Sequence, residues 1–184
     1  FSRQKLIVFG HSWGSLIATG MVQRRPDLFD AYVGTGQVTV WADTAQFQFD
    51  FLKRRYKEKG DTKSLAALEA IGKPDPNNRK EYFTWAPPIR RFMNPSDTAW
   101  LANLGKVSTT NGVTETTTKA IHDGMMASAP ALGFADLATT PARYKIPCYV
   151  IQGRDDLFAP TPLAEAWFAN VSAPTKRLFV IEGA

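Results

Sequence analysis

A serine with glycine two residues to either side, Gly10-His11-Ser12-Trp13-Gly14, is the part of this chain best equipped for chemistry. It follows the apolar run Leu6-Ile7-Val8-Phe9 and precedes Leu16, Ile17, Met21 and Val22, which recur at helical spacing. A turn this tight between strand and helix requires flanking residues without bulk and lifts the serine Oγ clear of the backbone. The next amide, Trp13, then lies at a helix start, where it can donate to a developing oxyanion. The chemistry implied is nucleophilic attack on a carbonyl. The bare pattern also describes a glycine-bearing turn with a surface serine, and the flanking strand and helix favour the nucleophile.

A second constellation lies near the other end. A strand over 146–152 runs into Gly153-Arg154-Asp155-Asp156-Leu157-Phe158-Ala159-Pro160. Carboxylates leaving the C-terminal end of a parallel strand sit where α/β sheets gather their functional groups. Alone, the two aspartates would read as a turn or as the cap of a helix over 162–169. Downstream of an elbow serine, in the order serine then acid, one of them becomes a triad candidate. A triad also needs an imidazole to accept and return the Oγ proton. The chain has two histidines. His11 is bound into the elbow with no clear route to act as base, and a lone mid-chain His122 reads as a surface residue.

These groups need a scaffold, and the surrounding sequence supplies one. Arg24-Arg25 suit the last turn of the helix after the elbow, Pro26 stops it, and Ala31-Tyr32-Val33 reads as the next strand, giving one βαβ unit. A final strand is expected over 176–181. Between these core segments the character changes. Phe47, Phe49, Phe51, Leu52 and Tyr56 lead a helix that Gly60-Asp61 breaks. Asp61 or Thr62 caps another through Leu65, Leu68 and Ile71, ended by Gly72, and a proline-rich joint follows. Trp41, Phe83, Trp85, Trp100 and Phe134 are the candidate walls of an apolar pocket, with plain helix packing as the alternative.

Taken together, these motifs resemble the α/β-hydrolases, and most the proline-iminopeptidase-like branch. The resemblance rests on Gly10-His11-Ser12-Trp13-Gly14-Ser15 and on Gly153-Arg154-x-Asp156-x-x-x-Pro160. It implies Ser12 as nucleophile, the Trp13 backbone amide in the oxyanion hole and Asp156 as triad acid. Asp155 then stands where members often carry an aromatic. It implies a catalytic histidine in the loop after the last strand, whereas the chain reads Glu182-Gly183-Ala184 there. Several strands precede the elbow in the family, so the chain is expected to be an internal fragment, inactive alone and exposing an apolar sheet edge and face.

The fold class that follows is α/β: the C-terminal part of a mostly parallel sheet, with helices on both faces and an inserted helical cap. The divisions are 1–40 (core with elbow), 41–143 (cap) and 144–184 (core with acid loop and last strand). The expected activity is serine hydrolysis of a small ester or amide, or removal of an N-terminal proline. The latter needs carboxylates for a substrate ammonium, with Glu58, Glu69, Glu81, Glu115 and the cap aspartates as candidates. A serine at position 12 argues against epoxide hydrolases and haloalkane dehalogenases, which attack with a carboxylate. A non-catalytic member of the fold, binding a small ligand or a protein, is the alternative.

Composition limits the other classes. Net charge is +5 and 21% of residues are charged, ordinary for a globular chain. The basic run at 53–59 reads as a solvated helix face, not a nucleic-acid module. No apolar run approaches a membrane span. No metal-ligand spacing occurs, and Gly34-Thr35-Gly36 lacks the third glycine of a dinucleotide fingerprint, so neither metal nor cofactor is expected. The single Cys148 lies in a predicted strand and fits a cytoplasmic, reducing compartment. The expected partner is a small-molecule or short-peptide substrate, without nucleic acid or membrane.

Overall fold

The computed structural model describes residues 4–73, 75, 88–93, 95, 98, 99, 102, 103, 110, 112, 114–128 and 142–184. Four strands, β1 (Leu6–His11), β2 (Phe29–Thr35), β3 (Cys148–Gly153) and β4 (Lys176–Ile181), form one sheet in the order β1-β2-β3-β4. Every pairing is parallel, so all four strands end at one edge of the sheet. Helix α1 (Trp13–Arg24) links β1 to β2 and stops one residue short of Pro26, which opens a single 3₁₀ turn. Between β2 and β3 come α2 (Trp41–Glu58), α3 (Thr62–Ile71) and α4 (Glu115–Ser128), and α5 (Thr161–Ala169) precedes β4. Asp61 caps α3 as its sequence suggests, its side chain accepting from the Ser64 amide at 2.9 Å, and Gly72 closes that helix.

Strand alternation sorts the sheet into two unlike faces. One carries Tyr32, Cys148, Val150 and Gln152, all buried, against Ala18 and Val22 of α1 and Trp167 and Phe168 of α5. The other carries Ile7, Phe9, Ile151, Phe179 and Ile181, all exposed. The non-alternating run at Leu6–Phe9 suits burial on both faces, and Leu6, Ile7 and Phe9 are 63%, 68% and 64% exposed, the apolar edge and face expected of this chain. Among the described strands β1 pairs with β2 alone, and Ile7 and Phe9 stand on the face they share with the exposed Ile151 and Phe179. An apolar, unpartnered edge of this kind invites association.

A second cluster lies apart from the sheet core. Phe49, Leu52 and Tyr56 of α2, Leu68 of α3 and Ile89 pack together, with Leu157 and Phe158 from the loop after β3 against them. That loop therefore touches both cores: its Ala159 carbonyl accepts from Gln152 Nε2, while the buried Gln48 of α2 donates from Nε2 to the Leu157 carbonyl at 2.8 Å.

Candidate active site

Ser12 has φ 50° and ψ −119°, and among the described residues it is the one non-glycine with positive φ. Such a conformation costs on the order of 1–3 kcal/mol and persists only where the surroundings enforce it. Here they do. The Ser12 amide donates to the Thr35 carbonyl at 2.9 Å, and the Ser12 carbonyl accepts from the amide and hydroxyl of Ser15 at 2.8 and 2.6 Å. The side chain is left exposed at the end of β1, and Trp13 opens α1, where helix amides point outward.

The glycines at minus two and plus two are not equivalent. A Cβ on Gly10 would lie 2.6 Å from the Gly14 carbonyl oxygen and 2.9 Å from Ser15 Cα, which is impossible without shifting the turn. A Cβ on Gly14 would meet nothing within 4 Å outside its own helix. The expectation that both positions must lack bulk therefore holds for Gly10 alone, because α1 carries the Gly14 hydrogen away from β1.

Asp156 approaches the elbow from β3. Its Oδ1 accepts from the amides of Phe158 and Ala159, each at 2.8 Å, and its Oδ2 accepts from Gln152 Nε2 at 3.2 Å. A Cβ on Gly36 would stand 3.5 Å from Asp156 Oδ2 and 3.4 Å from His11 Cε1, so the carboxylate and the residue preceding Ser12 flank one glycine. His11 also exchanges a hydrogen bond with the Thr35 hydroxyl at 2.9 Å. Asp155, one residue earlier, is exposed, and its amide donates to the Ala184 carbonyl at 2.8 Å. The Arg154 guanidinium reaches Glu165 at 2.9 Å and Glu182 at 3.1 Å, and these carboxylates raise its pKa. The backbone leaving β4 is thereby held against the loop that carries Asp156.

Trp41 is the first residue of α2, and His122 and Glu115 lie on α4. Phe83, Trp85, Trp100, Phe134 and Glu81 fall outside the described residues. Glu58 pairs with Arg55 at 2.9 Å and Glu69 with Lys53 at 3.0 Å, both at the surface. Cys148 is fully buried in β3, as its strand position implies. Among the described residues no three of His, Cys, Asp and Glu gather as a metal site, and no helix is long and apolar enough to cross a membrane.

Sequence reasoning missed Gln37 and Gln152, which are 1% and 0% exposed and lie between the serine and the aspartate. A signal existed for one of them. Cys148, Val150 and Gln152 alternate on one face of β3, and an amide at the third buried position needs a polar reason.

The model of the alpha/beta hydrolase family matches residues 2–184. The chain belongs to this family. A curated relative, "Probable aminopeptidase YbaC" of Bacillus subtilis (strain 168), is 27% identical over 190 residues, covering 99% of this chain. The chain spans 59% of that relative's length. Two solved structures share the hydrolase scaffold. A serine hydrolase involved in carbazole degradation, the CarC enzyme, superposes with a TM-score of 0.51 at 16% identity, covering 99% of this chain and 56% of that one. Rv0554 from Mycobacterium tuberculosis gives 0.51 at 18% identity, covering 97% and 57%.

Proposed function

We propose that this hydrolase chain carries the nucleophile and the acid of a Ser-His-Asp acyl-transfer site acting on a small ester or amide. The carrying observation is a strained, exposed Ser12 at the same sheet edge as the Asp156 carboxylate, which faces His11, the residue before Ser12, across Gly36. In this reading Ser12 Oγ attacks the substrate carbonyl and gives its proton to an imidazole, which passes it to the leaving group. The Trp13 amide donates to the oxyanion, and water then releases the acyl group by the reverse proton path. Asp156 orients the imidazole. The family resemblance puts that histidine in the loop following β4, and the Arg154 contacts bring this backbone to the acid loop.

Peptide cleavage at an N-terminal residue is the finer reading, in keeping with the name of the Bacillus relative. Residues 41–143 would then act as a cap, docked on the acid loop through Gln48 and Leu157. The substrate is a small molecule or short peptide, with neither nucleic acid nor membrane needed.

Treating the full-length natural protein with a fluorophosphonate and mapping the adduct tests this. Ser12 should be the labelled residue. An adduct on another serine, or a protein that turns over p-nitrophenyl esters and proline arylamides without labelling, would overturn the assignment. A protein that neither labels nor turns over substrate would fit a ligand-binding module instead.

A further inference from the structure

The polar groups buried between Ser12 and Asp156 form a continuous chain. Ser15 Oγ donates to the Ser12 carbonyl at 2.6 Å and accepts from Gln37 Nε2 at 3.2 Å and the Val38 amide at 3.1 Å. Gln37 also donates to the Val38 carbonyl at 2.8 Å and accepts at Oε1 from the Tyr32 hydroxyl. The Gln37 backbone amide donates to Gln152 Oε1 at 2.9 Å. Gln152 Nε2 uses its two protons on the Ala159 carbonyl at 2.6 Å and on Asp156 Oδ2 at 3.2 Å. Ser15 and Gln152 are fully buried and Gln37 is 1% exposed.

Every donor in this chain meets an acceptor, and the order cannot be reversed. Turning the Gln152 amide would set its oxygen against the Ala159 carbonyl and the Asp156 carboxylate, and its NH₂ against an amide proton. At the far end, burial pushes the Tyr32 hydroxyl well above its ordinary pKa, so it stays a neutral donor to Gln37. Gly34 leaves room for this, because a Cβ there would lie 2.6 Å from Gln37 Oε1. A sheet core would hold three apolar side chains with less desolvation cost, and a buried network that satisfies all its members rigidifies what it connects.

We infer that Gln152 and Gln37 are positioning residues that lock the acid loop to the elbow through this network, setting where Asp156 Oδ2 faces relative to Ser12. The inference rests on reading those two residues as acid and nucleophile. Gln152 acts on the carboxylate directly. Gln37 acts through its backbone amide on Gln152 and through Ser15 on the Ser12 carbonyl.

The test uses the full-length protein, with Gln152→Met, Gln37→Leu and the double variant. Gln152→Met should lower kcat about tenfold, the rate equivalent of one hydrogen bond to a charged group, with KM unchanged. Fluorophosphonate labelling of Ser12 should slow in proportion. Gln37→Leu should cost roughly threefold, and the double variant should lose less than the product of the two, because both act on one connected unit. A lower Tm with unchanged kcat would reduce the network to a structural role and overturn the inference, as would losses that multiply. Gln37→Leu keeps the backbone amide to Gln152 and removes only the side-chain link to Ser15, so if Gln152→Met does not fold, Gln152→Leu takes its place and unchanged kcat there overturns the inference. Failure of the wild-type protein to label at Ser12 strikes the catalytic reading itself. A labelled wild type with indifferent variants strikes only the network.

Discussion

The elbow and the acid loop meet at one edge of the sheet, yet they are held by opposite means. Ser12 is kept at a positive φ by close backbone packing, with Gly10 pressed against Gly14 and the Ser12 amide pinned to Thr35. Asp156 shows no such strain and is held by donors, two backbone amides and one side-chain amide. A nucleophile benefits from a stiff, exposed mount. An acid that supports a charge developing on its neighbour benefits from a fixed set of dipoles. The elbow is thus a steric device and the acid loop an electrostatic one.

Substituting the two groups should separate these roles most widely. On the proposed reading Ser12→Ala removes the attacking atom, and loss of a triad nucleophile costs roughly 10⁶-fold in kcat. Asp156→Ala leaves the nucleophile but frees the imidazole to misorient, a loss of about 10⁴-fold. Asp155→Ala should change kcat little, since that side chain is exposed and its backbone contact to Ala184 is retained. Steady-state rates on an activated ester would measure all three. A severe Asp155→Ala defect beside a mild Asp156→Ala defect would show that the acid stands one residue earlier.

The same contrast explains what was legible in the residues. Gly10, Ser12 and Gly14 declare the elbow because sterics act over five residues and demand particular residue types. β4 was readable to the residue, since a short apolar run after a polar turn marks a strand by local pattern alone. Gln37 and Gln152 were not, because their pairing spans 115 positions and many residue types can supply an amide. The exposure of β1 was expected on other grounds, from the resemblance and not from its residues. Its residues record the neighbours they suit, and only the sheet order shows which neighbours the described strands provide.

The two glycines of the elbow offer a sharper test of the steric half. Gly10→Ala drives a methyl into the Gly14 carbonyl, and overpacking against backbone cannot be relieved by a rotamer change. A loss on the order of 3 kcal/mol is expected, read as a lower urea midpoint of the full-length protein. Gly14→Ala meets open space within a helix, where alanine is favoured over glycine by about 0.5–1 kcal/mol. Its midpoint should hold or rise. Equal losses at both positions would mean that the turn is symmetric after all, and that helix α1 does not carry Gly14 clear of β1.

The smallest expected effect concerns a buried thiol in the same molecule. Cys148 lies on the buried face of β3, two alternating positions from Gln152, and burial pushes its thiol up to about 12. At pH 8 the thiolate fraction is then on the order of 1 in 10⁴, against roughly a tenth for an exposed thiol titrating near 9. Iodoacetamide should therefore leave the native protein unmodified over a period in which a fluorophosphonate labels Ser12 to completion. The linkage has a definite sign. A thiol whose folded pKa is raised lends stability in full below the range in which the unfolded thiol titrates, near 9, and loses it as pH climbs from there toward the folded value. Urea midpoints measured at pH 8 and pH 10.5 should fall between the two for wild type, and fall less for Cys148→Ala. Rapid alkylation at pH 8 would show that β3 opens readily. In that case the acid loop it carries would be held no more firmly than a surface turn, and its contrast with the strained elbow would disappear.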